Sequence, residues 1–145
     1  MKKNAIFPGS FDPFHSGHRE VLRQSHKLFD KIYLIITFNP NKKFSESYLQ
    51  RFEHIKHATK EFKNVELVIN ENKLTANVAK ELGCNFLIRG LRDSKDLDYE
   101  IKMADANTYI NDKLITIFFI TNKENRKISS SLIKEISNIK KKIEK

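Results

Sequence analysis

The sequence of 145 residues has little cysteine, little glycine and no tryptophan. Its single cysteine, Cys84, excludes an intramolecular disulfide and fits a reducing compartment. Four glycines are too few for a glycine-rich phosphate cradle, and neither G-x-G-x-x-G nor G-x-x-x-x-G-K-[ST] occurs. A phosphate-binding enzyme with this sequence must therefore hold phosphate with side chains and helix ends.

Long apolar runs are also absent. The longest, Ile32–Phe38 and Ile115–Ile120, are far shorter than the roughly 18 residues of a membrane span. The two N-terminal lysines are not followed by the apolar segment of a signal peptide. We therefore expect a cytoplasmic protein with no membrane partner. The length favours a single domain over residues 1–145.

The charge balance is basic, with 27 lysines and arginines against 18 acidic residues and a net charge of +9. Such a balance is compatible with nucleic acids, anionic membranes or small polyanionic substrates. We find no recognised nucleic-acid-binding motif, so we expect no nucleic-acid partner. A basic nucleic-acid-binding module stays open as an alternative from a different functional class.

Apolar runs of strand length alternate with helical patterns along the chain. The runs lack polar alternation, as strands covered on both faces do. The predicted strands are Asn4–Pro8, Ile32–Phe38, Val65–Ile69, Phe86–Arg89 and Leu114–Ile120. Five repeats of strand and helix predict an α/β fold: a doubly wound, five-stranded parallel sheet with right-handed crossovers.

The predicted helices follow apolar spacing and end signals. The first carries Val21, Leu22, Leu28 and Phe29; the second begins with a capping-box pattern at Ser47; the third runs from about Asn77 to Gly83; the fourth covers about Asp96–Tyr109. The fifth begins in the serine run 129–131, and its apolar stripe is Leu132, Ile136, Ile139 and Ile143.

The segment FPGSFDPFHSGH, residues 7–18, joins the first strand to the first helix. In open parallel sheets, ligands bind at this corner. Glycine lets the backbone approach a ligand closely, and free amides at a helix start attract anions. The segment also carries a hydroxyl, Ser10, and two histidines, His15 and His18. It therefore predicts an anion site.

Basic and hydroxyl residues follow three other predicted strands: Lys42 and Lys43, Arg89 and Arg92, and Arg126, Lys127 and Ser129–Ser131. Parallel strands end at one edge of the sheet, so these side chains are expected near Ser10 and His18. Arginine grips phosphate oxygens with two donors, and lysine acts as a point charge. Taken singly, the arginines could instead pair with Asp93 or Asp96, and the serines could only cap a helix.

Two signatures identify a known superfamily. His15-Ser16-Gly17-His18 resembles the H-x-G-H motif of the nucleotidyltransferases, and Ile128-Ser129-Ser130-Ser131 with Lys134 resembles their C-terminal motif. Narrower features resemble bacterial-type phosphopantetheine adenylyltransferases: FPGSFDP, Pro40-Asn41-Lys42-Lys43, Leu74-Thr75-Ala76-Asn77, Arg89-Gly90-Leu91-Arg92 and Asp98-Tyr99-Glu100. The chain departs from that family at Asn125-Arg126-Lys127, where aromatic and hydroxyl residues are usual.

The resemblance implies a Rossmann-like nucleotidyltransferase fold and a set of site residues. His18, Lys42 and Ser10 would be catalytic. The substrate 4'-phosphopantetheine would bind at Ser10, Lys42, Leu74, Thr75 and Arg89. ATP would bind at Ser10, Phe11, His18, Gly90, Leu91, Arg92, Glu100, Asn125, Arg126, Lys127, Ile128, Ser129, Ser130 and Ser131.

The implied reaction transfers AMP from ATP to 4'-phosphopantetheine and releases dephospho-coenzyme A and pyrophosphate. Magnesium is expected on the phosphates, with no protein metal ligand assigned, and a homohexamer is implied. Another adenylyl- or cytidylyltransferase of the same superfamily, acting on nicotinate mononucleotide or a sugar or polyol phosphate, is the alternative in the same fold.

Overall fold

A computed structural model describes residues 2–37, 48–121 and 129–144. Within these residues, five strands alternate with five helices. The strands are β1 (Asn4–Gly9), β2 (Lys31–Thr37), β3 (Val65–Asn70), β4 (Phe86–Leu91) and β5 (Ile115–Ile120). The helices are α1 (Ser16–Ser25), α2 (Tyr48–Thr59), α3 (Thr75–Glu81), α4 (Ser94–Ile110) and α5 (Ser130–Glu144).

The strands form one parallel sheet in the order β3-β2-β1-β4-β5, which confirms the predicted fold class. Successive strand residues face opposite sides of a sheet. Accordingly, Phe7 packs in a core cluster with Val21 of α1 and Ile55 of α2, whereas the adjacent Ile6 packs with Ala76 of α3 on the other side. Apolar residues therefore cover both faces of the sheet.

Two helix boundaries differ from the predictions. α1 ends at Ser25, where a short turn leads back toward β2, so Leu28 and Phe29 lie beyond the helix. The side chain of Leu28 is largely exposed, and that of Phe29 is buried. α3 begins at Thr75, two residues before the predicted start. The predicted capping box at Ser47 lies outside the described residues.

The sheet opens at its centre, between β1 and β4. Their register contains only two pairs, Ala5 with Phe86 and Ile6 with Leu87, whereas β1 pairs with β2 over six residues. The direction in which strands are added also reverses at this position, and such a switch point is where open α/β sheets bind ligands. The fold thus creates a cleft at the carboxyl ends of β1 and β4.

The helix α5 differs from the others because none of its described side chains is buried. The predicted stripe is present, but it is solvent-exposed: Leu132 46%, Ile136 44%, Ile139 51% and Ile143 78%. In the described part of the chain, no helix combines the length and apolar character needed to cross a membrane.

Candidate active site

Two cavities meet at the cleft between β1 and β4. The first, about 340 Å³, is lined by Ser10, His15, His18, Gly90, Arg92 and Thr121, among others. The second, about 180 Å³, is lined by Thr37, Thr75, Tyr99, Glu100, Met103 and Asn107, among others. We call them the His18 cavity and the Tyr99 cavity. Both are also lined by Pro8, Gly9 and Arg89, so these residues lie at the junction of the two cavities.

Pro8 explains in part why the two strands separate. Proline has no N–H and cannot donate a hydrogen bond to a neighbouring strand. Its carbonyl instead accepts a hydrogen bond at 3.3 Å from Nη1 of Arg89 on β4. A guanidinium therefore spans the gap where backbone pairing has stopped.

The turn after β1 is tightly packed around Phe11. This residue has a φ of +48°, which is uncommon for a side chain of its size, and its ring is buried. A Cβ placed on Gly9 would lie 3.0 Å from that ring, so a larger residue there would require the buried ring to shift by a few tenths of an ångström. Ser10, between them, lines the His18 cavity, and its carbonyl accepts a hydrogen bond at 3.0 Å from Nη1 of Arg51 on α2.

His15 and His18 form a capping box at the start of α1. Nδ1 of His15 accepts a hydrogen bond at 3.1 Å from the Gly17 amide, and Nδ1 of His18 accepts one at 3.1 Å from the His15 amide. The two rings stack with centroids 3.7 Å apart. Because Nδ1 of His18 is an acceptor, the neutral ring carries its proton on Nε2.

The electrostatics of the site keep His18 neutral. Burial, and then repulsion by the nearby His15 and Arg89, lower the pKa of His18 to about 3. Burial, and then the charge of Arg92, also lower the pKa of His15. At neutral pH His18 is thus a fixed N–H donor, not an imidazolium ion.

Arg89 and Glu100 form the principal ion pair of the site. Nε and Nη2 of Arg89 donate to the two carboxylate oxygens of Glu100 at 3.0 and 2.7 Å. The Glu100 side chain is 7% exposed and that of Arg89 is 34% exposed. The hydrogen bonds to Glu100 raise the pKa of Arg89. Glu100 therefore holds Arg89 in place, and the guanidinium keeps an exposed edge toward both cavities.

Arg92 and the serine run 129–131 are more exposed than the Arg89–Glu100 pair. Arg92 lines the His18 cavity and forms an exposed ion pair at 3.2 Å with Asp96, one of the two partners considered from the sequence. The Ser129 hydroxyl accepts a hydrogen bond at 3.2 Å from the Leu132 amide, so it caps α5. Among the described residues, Ser129, Ser130 and Ser131 line neither cavity, and their contact with ATP stays a prediction.

The remaining predicted site residues fall into three groups. Gly90 lines the His18 cavity and Thr75 lines the Tyr99 cavity. Leu74 is the exposed residue preceding α3, and Leu91 ends β4; neither is among the lining residues of the His18 cavity or the Tyr99 cavity. Outside the described residues lie Lys42, Lys43, Asn125, Arg126, Lys127 and Ile128.

The structure adds residues that sequence reasoning did not assign. Met103 and Asn107 lie one helical turn apart on α4 and line the Tyr99 cavity with Tyr99. Their four-residue spacing from Tyr99 is visible in the sequence, but it does not show which face of α4 meets the cavity. Thr121 and Arg51 are buried polar residues with no motif of their own.

The donor set of the site suits phosphate oxygens. In the described residues, no group of three or more His, Cys, Asp or Glu side chains could hold a metal ion. The polar groups that line the His18 cavity include two cationic side chains, a hydroxyl and an N–H donor. Such groups bind anions directly.

The comparisons with known proteins agree with this geometry. Residues 6–136 match the family described as cytidylyltransferase-like. The chain is 45% identical over 139 residues to the phosphopantetheine adenylyltransferase of Mycoplasma capricolum, covering 96% of this chain and 99% of the relative. It is 46% identical over 137 residues to that of Buchnera aphidicola subsp. Schizaphis graminum, covering 94% and 83%.

A solved structure supports the fold independently. The nicotinic acid mononucleotide adenylyltransferase of Plasmodium falciparum superimposes with a TM-score of 0.64 at 21% identity, covering 92% of this chain and 70% of that one. Such low identity supports only the fold.

The sequence relatives are much closer and span nearly the whole chain, so the protein belongs to the cytidylyltransferase-like family and, within it, to the phosphopantetheine adenylyltransferases.

Proposed function

We propose that the protein transfers AMP from ATP to 4'-phosphopantetheine, giving dephospho-coenzyme A and pyrophosphate. The relatives that share 42–46% of its residues carry the name of this activity. The structural observation that carries the proposal is the pair of cavities joined at Arg89, Gly9 and Pro8. A reaction between two phosphorylated molecules needs two binding spaces that meet at the reacting phosphates.

The two cavities differ in character as two different substrates require. The His18 cavity contains Arg92, Ser10 and the His18 N–H donor, which suit the phosphates of ATP. Beyond the Arg89–Glu100 pair, the Tyr99 cavity is lined by apolar, hydroxyl and amide side chains, including Met103 and Asn107, which suit an extended pantetheine arm. Arg89, at the junction, would contact the phosphate of 4'-phosphopantetheine.

The reaction needs alignment and charge stabilisation more than a protein nucleophile. A phosphate monoester is itself an anionic nucleophile that can attack the α-phosphorus of ATP. The protein must hold two mutually repelling anions in line and stabilise charge on the transferring group. Arg89 supplies a fixed positive charge and His18 a fixed neutral donor, so no proton has to leave His18.

Magnesium and Lys42 complete the proposed chemistry. The cavity walls offer donors and cations, so magnesium would enter on the phosphates of ATP, with the phosphate oxygens as its ligands. When bound, it would neutralise charge on the leaving pyrophosphate. Lys42, which the family resemblance places among the catalytic residues, would add a further positive charge.

The assembly and location are proposed on separate grounds. The exposed stripe of α5 supports a homo-oligomer, since four large aliphatic side chains on one face favour burial against another surface. A hexamer follows from the family resemblance. A cytoplasmic location follows from the substrates and the single cysteine.

The test is a substrate panel with the purified protein. ATP is offered with 4'-phosphopantetheine, nicotinate mononucleotide or glycerol phosphate in parallel, with and without magnesium, and pyrophosphate release is measured. A second series replaces ATP with CTP. We expect release with ATP and 4'-phosphopantetheine, dependent on magnesium. Release with another acceptor, and none with 4'-phosphopantetheine, would overturn the proposed substrate.

A further inference from the structure

Arg51 on α2 is a buried charged residue that the proposed chemistry does not use. Its side chain is 0% exposed, and neither described cavity is lined by it. It belongs to the buried face of α2, one turn before the core residue Ile55. Burying a guanidinium costs free energy unless its hydrogen bonds are met inside the protein. Because burial of the Arg51 guanidinium is costly, we expect this residue to have a specific structural or functional role.

The described contact of Arg51 is with Ser10, in the turn after β1. Nη1 donates to the carbonyl oxygen of Ser10 at 3.0 Å, across 41 residues of sequence. In a trans peptide the carbonyl and the following N–H point in opposite directions. Drawing the Ser10 carbonyl toward α2 therefore turns the Phe11 N–H away from α2, and Ser10 itself lines the His18 cavity.

The Ser10–Phe11 peptide precedes a residue with an unusual backbone conformation. Phe11 has a φ of +48°, and its ring packs edge-on against His18 with centroids 4.8 Å apart. A change in the Ser10–Phe11 peptide would therefore move both the Ser10 hydroxyl and the ring that supports His18. Arg51 donates a hydrogen bond from α2 to the carbonyl of this peptide.

We propose that Arg51 is a positioning residue for adenylyl transfer, acting through the Ser10 carbonyl on Ser10, Phe11 and His18. The proposal rests on the function proposed above. It places a determinant of the His18 cavity on the α2 side of the turn, outside the residues that line the His18 and Tyr99 cavities. The Tyr99 cavity does not include this turn beyond Gly9, so its ligand should be affected less.

The test compares Arg51→Lys with Ile55→Val on the same buried face of α2. Lysine keeps the charge but lacks the planar fork that reaches the carbonyl. We expect Arg51→Lys to lower kcat about 10- to 100-fold, as a misplaced reacting group does, with the KM for 4'-phosphopantetheine changed by a smaller factor than kcat. Ile55→Val should lower the midpoint of urea unfolding while leaving kcat near wild type.

A second variant keeps the proposal testable if lysine disturbs folding. In Arg51→Ala, low and non-denaturing concentrations of guanidinium should restore part of the lost kcat, and methylammonium should not. A loss of kcat in Arg51→Lys that matches Ile55→Val at equal unfolding midpoint, with no rescue of Arg51→Ala, would overturn the positioning role. Wild-type protein without activity on the substrate panel would instead overturn the proposed function.

Discussion

At the scale of single residues, His18 shows how the fold prepares a side chain for charge stabilisation. Its Nδ1 accepts a hydrogen bond from the His15 amide, and burial together with repulsion by His15 and Arg89 lowers its pKa to about 3. The ring can therefore present only a neutral Nε2–H to the His18 cavity near pH 7. A neutral donor stabilises a developing negative charge without giving up its proton.

Replacing His18 with alanine should lower turnover about 10²–10³-fold, because removal of one such donor typically costs that much. ATP affinity should change less, since the donor acts mainly on charge that develops during the reaction. Single-turnover rates with 4'-phosphopantetheine measure the effect. His57→Ala, at an exposed position on α2, is the matched control and should keep the wild-type rate. A near-normal rate for His18→Ala would remove His18 from the proposed chemistry.

The lowered pKa of His18 also predicts a pH-dependent stability. The unfolded chain binds a proton at this histidine as the pH falls through about 6.5, whereas the folded chain does so only near 3. This contribution to stability is therefore fully present above pH 6.5 and is lost as the pH falls toward 3. Between pH 6.5 and 4.5, wild type should lose about 1–2 kcal/mol more than His18→Ala, after allowance for solvent screening. Urea unfolding of both proteins at both pH values measures this difference. An equal change in the free energy of unfolding for wild type and His18→Ala would contradict the lowered pKa.

The Arg89–Glu100 pair should be important for both stability and substrate binding. Glu100→Gln removes the charge that orients Arg89, and breaking a largely buried pair costs about 1–3 kcal/mol. The KM for 4'-phosphopantetheine should rise about tenfold, because Arg89 no longer faces the junction in a fixed orientation. Urea unfolding and initial rates check the two effects. Glu81→Gln, in the exposed pair with Lys73, should cost under about 1 kcal/mol and leave the KM unchanged.

At the scale of elements, local signals predicted the strands and the corner after β1 because each depends on neighbouring residues. The apolar runs located all five strands to within about two residues, and the H-x-G-H segment indicated the start of α1. The contact between Arg89 and Glu100 joins a strand to a helix, and that between Arg51 and Ser10 spans 41 residues. Sequence periodicity carries no signal for such pairs, since chain direction and packing determine them.

The contact between β4 and α1 depends on Gly90, and it gives an element-scale prediction. A Cβ at this position would lie 2.9 Å from Cγ2 of Val21. Gly90→Ala should therefore destabilise the fold by about 1–3 kcal/mol through overpacking and lower activity by displacing α1. In a double-mutant cycle, Val21→Ala should relieve most of the added cost. Urea unfolding of wild type, the two single variants and the double variant measures the coupling free energy. Strictly additive changes in the free energy of unfolding would show that the two residues do not clash.

At the scale of the whole molecule, α5 is the helix whose described side chains are not buried against the rest of the chain. Isolated helices shorter than about 12–15 residues are marginal in water, and most helices are stabilised by packing of an apolar face. α5 has 15 residues, yet none of its described side chains is buried. Its aliphatic stripe is the kind of surface that a second copy of the chain would cover.

If α5 forms the proposed contact between copies of the chain, charge introduced into that stripe should reduce the size of the proposed assembly. Ile136→Glu and Ile139→Glu, made together, would place two carboxylates in the proposed contact, where their desolvation opposes association. We expect wild type to sediment as a species several times the mass of one chain and the double variant to shift toward the monomer. Asn138→Glu adds a carboxylate on another side of the helix, at about 100° per residue, and should leave the assembly intact. A wild-type protein that sediments as a monomer at every concentration would refute the role given to α5. If the double variant dissociates but keeps its turnover, the two cavities within one chain are sufficient for the reaction.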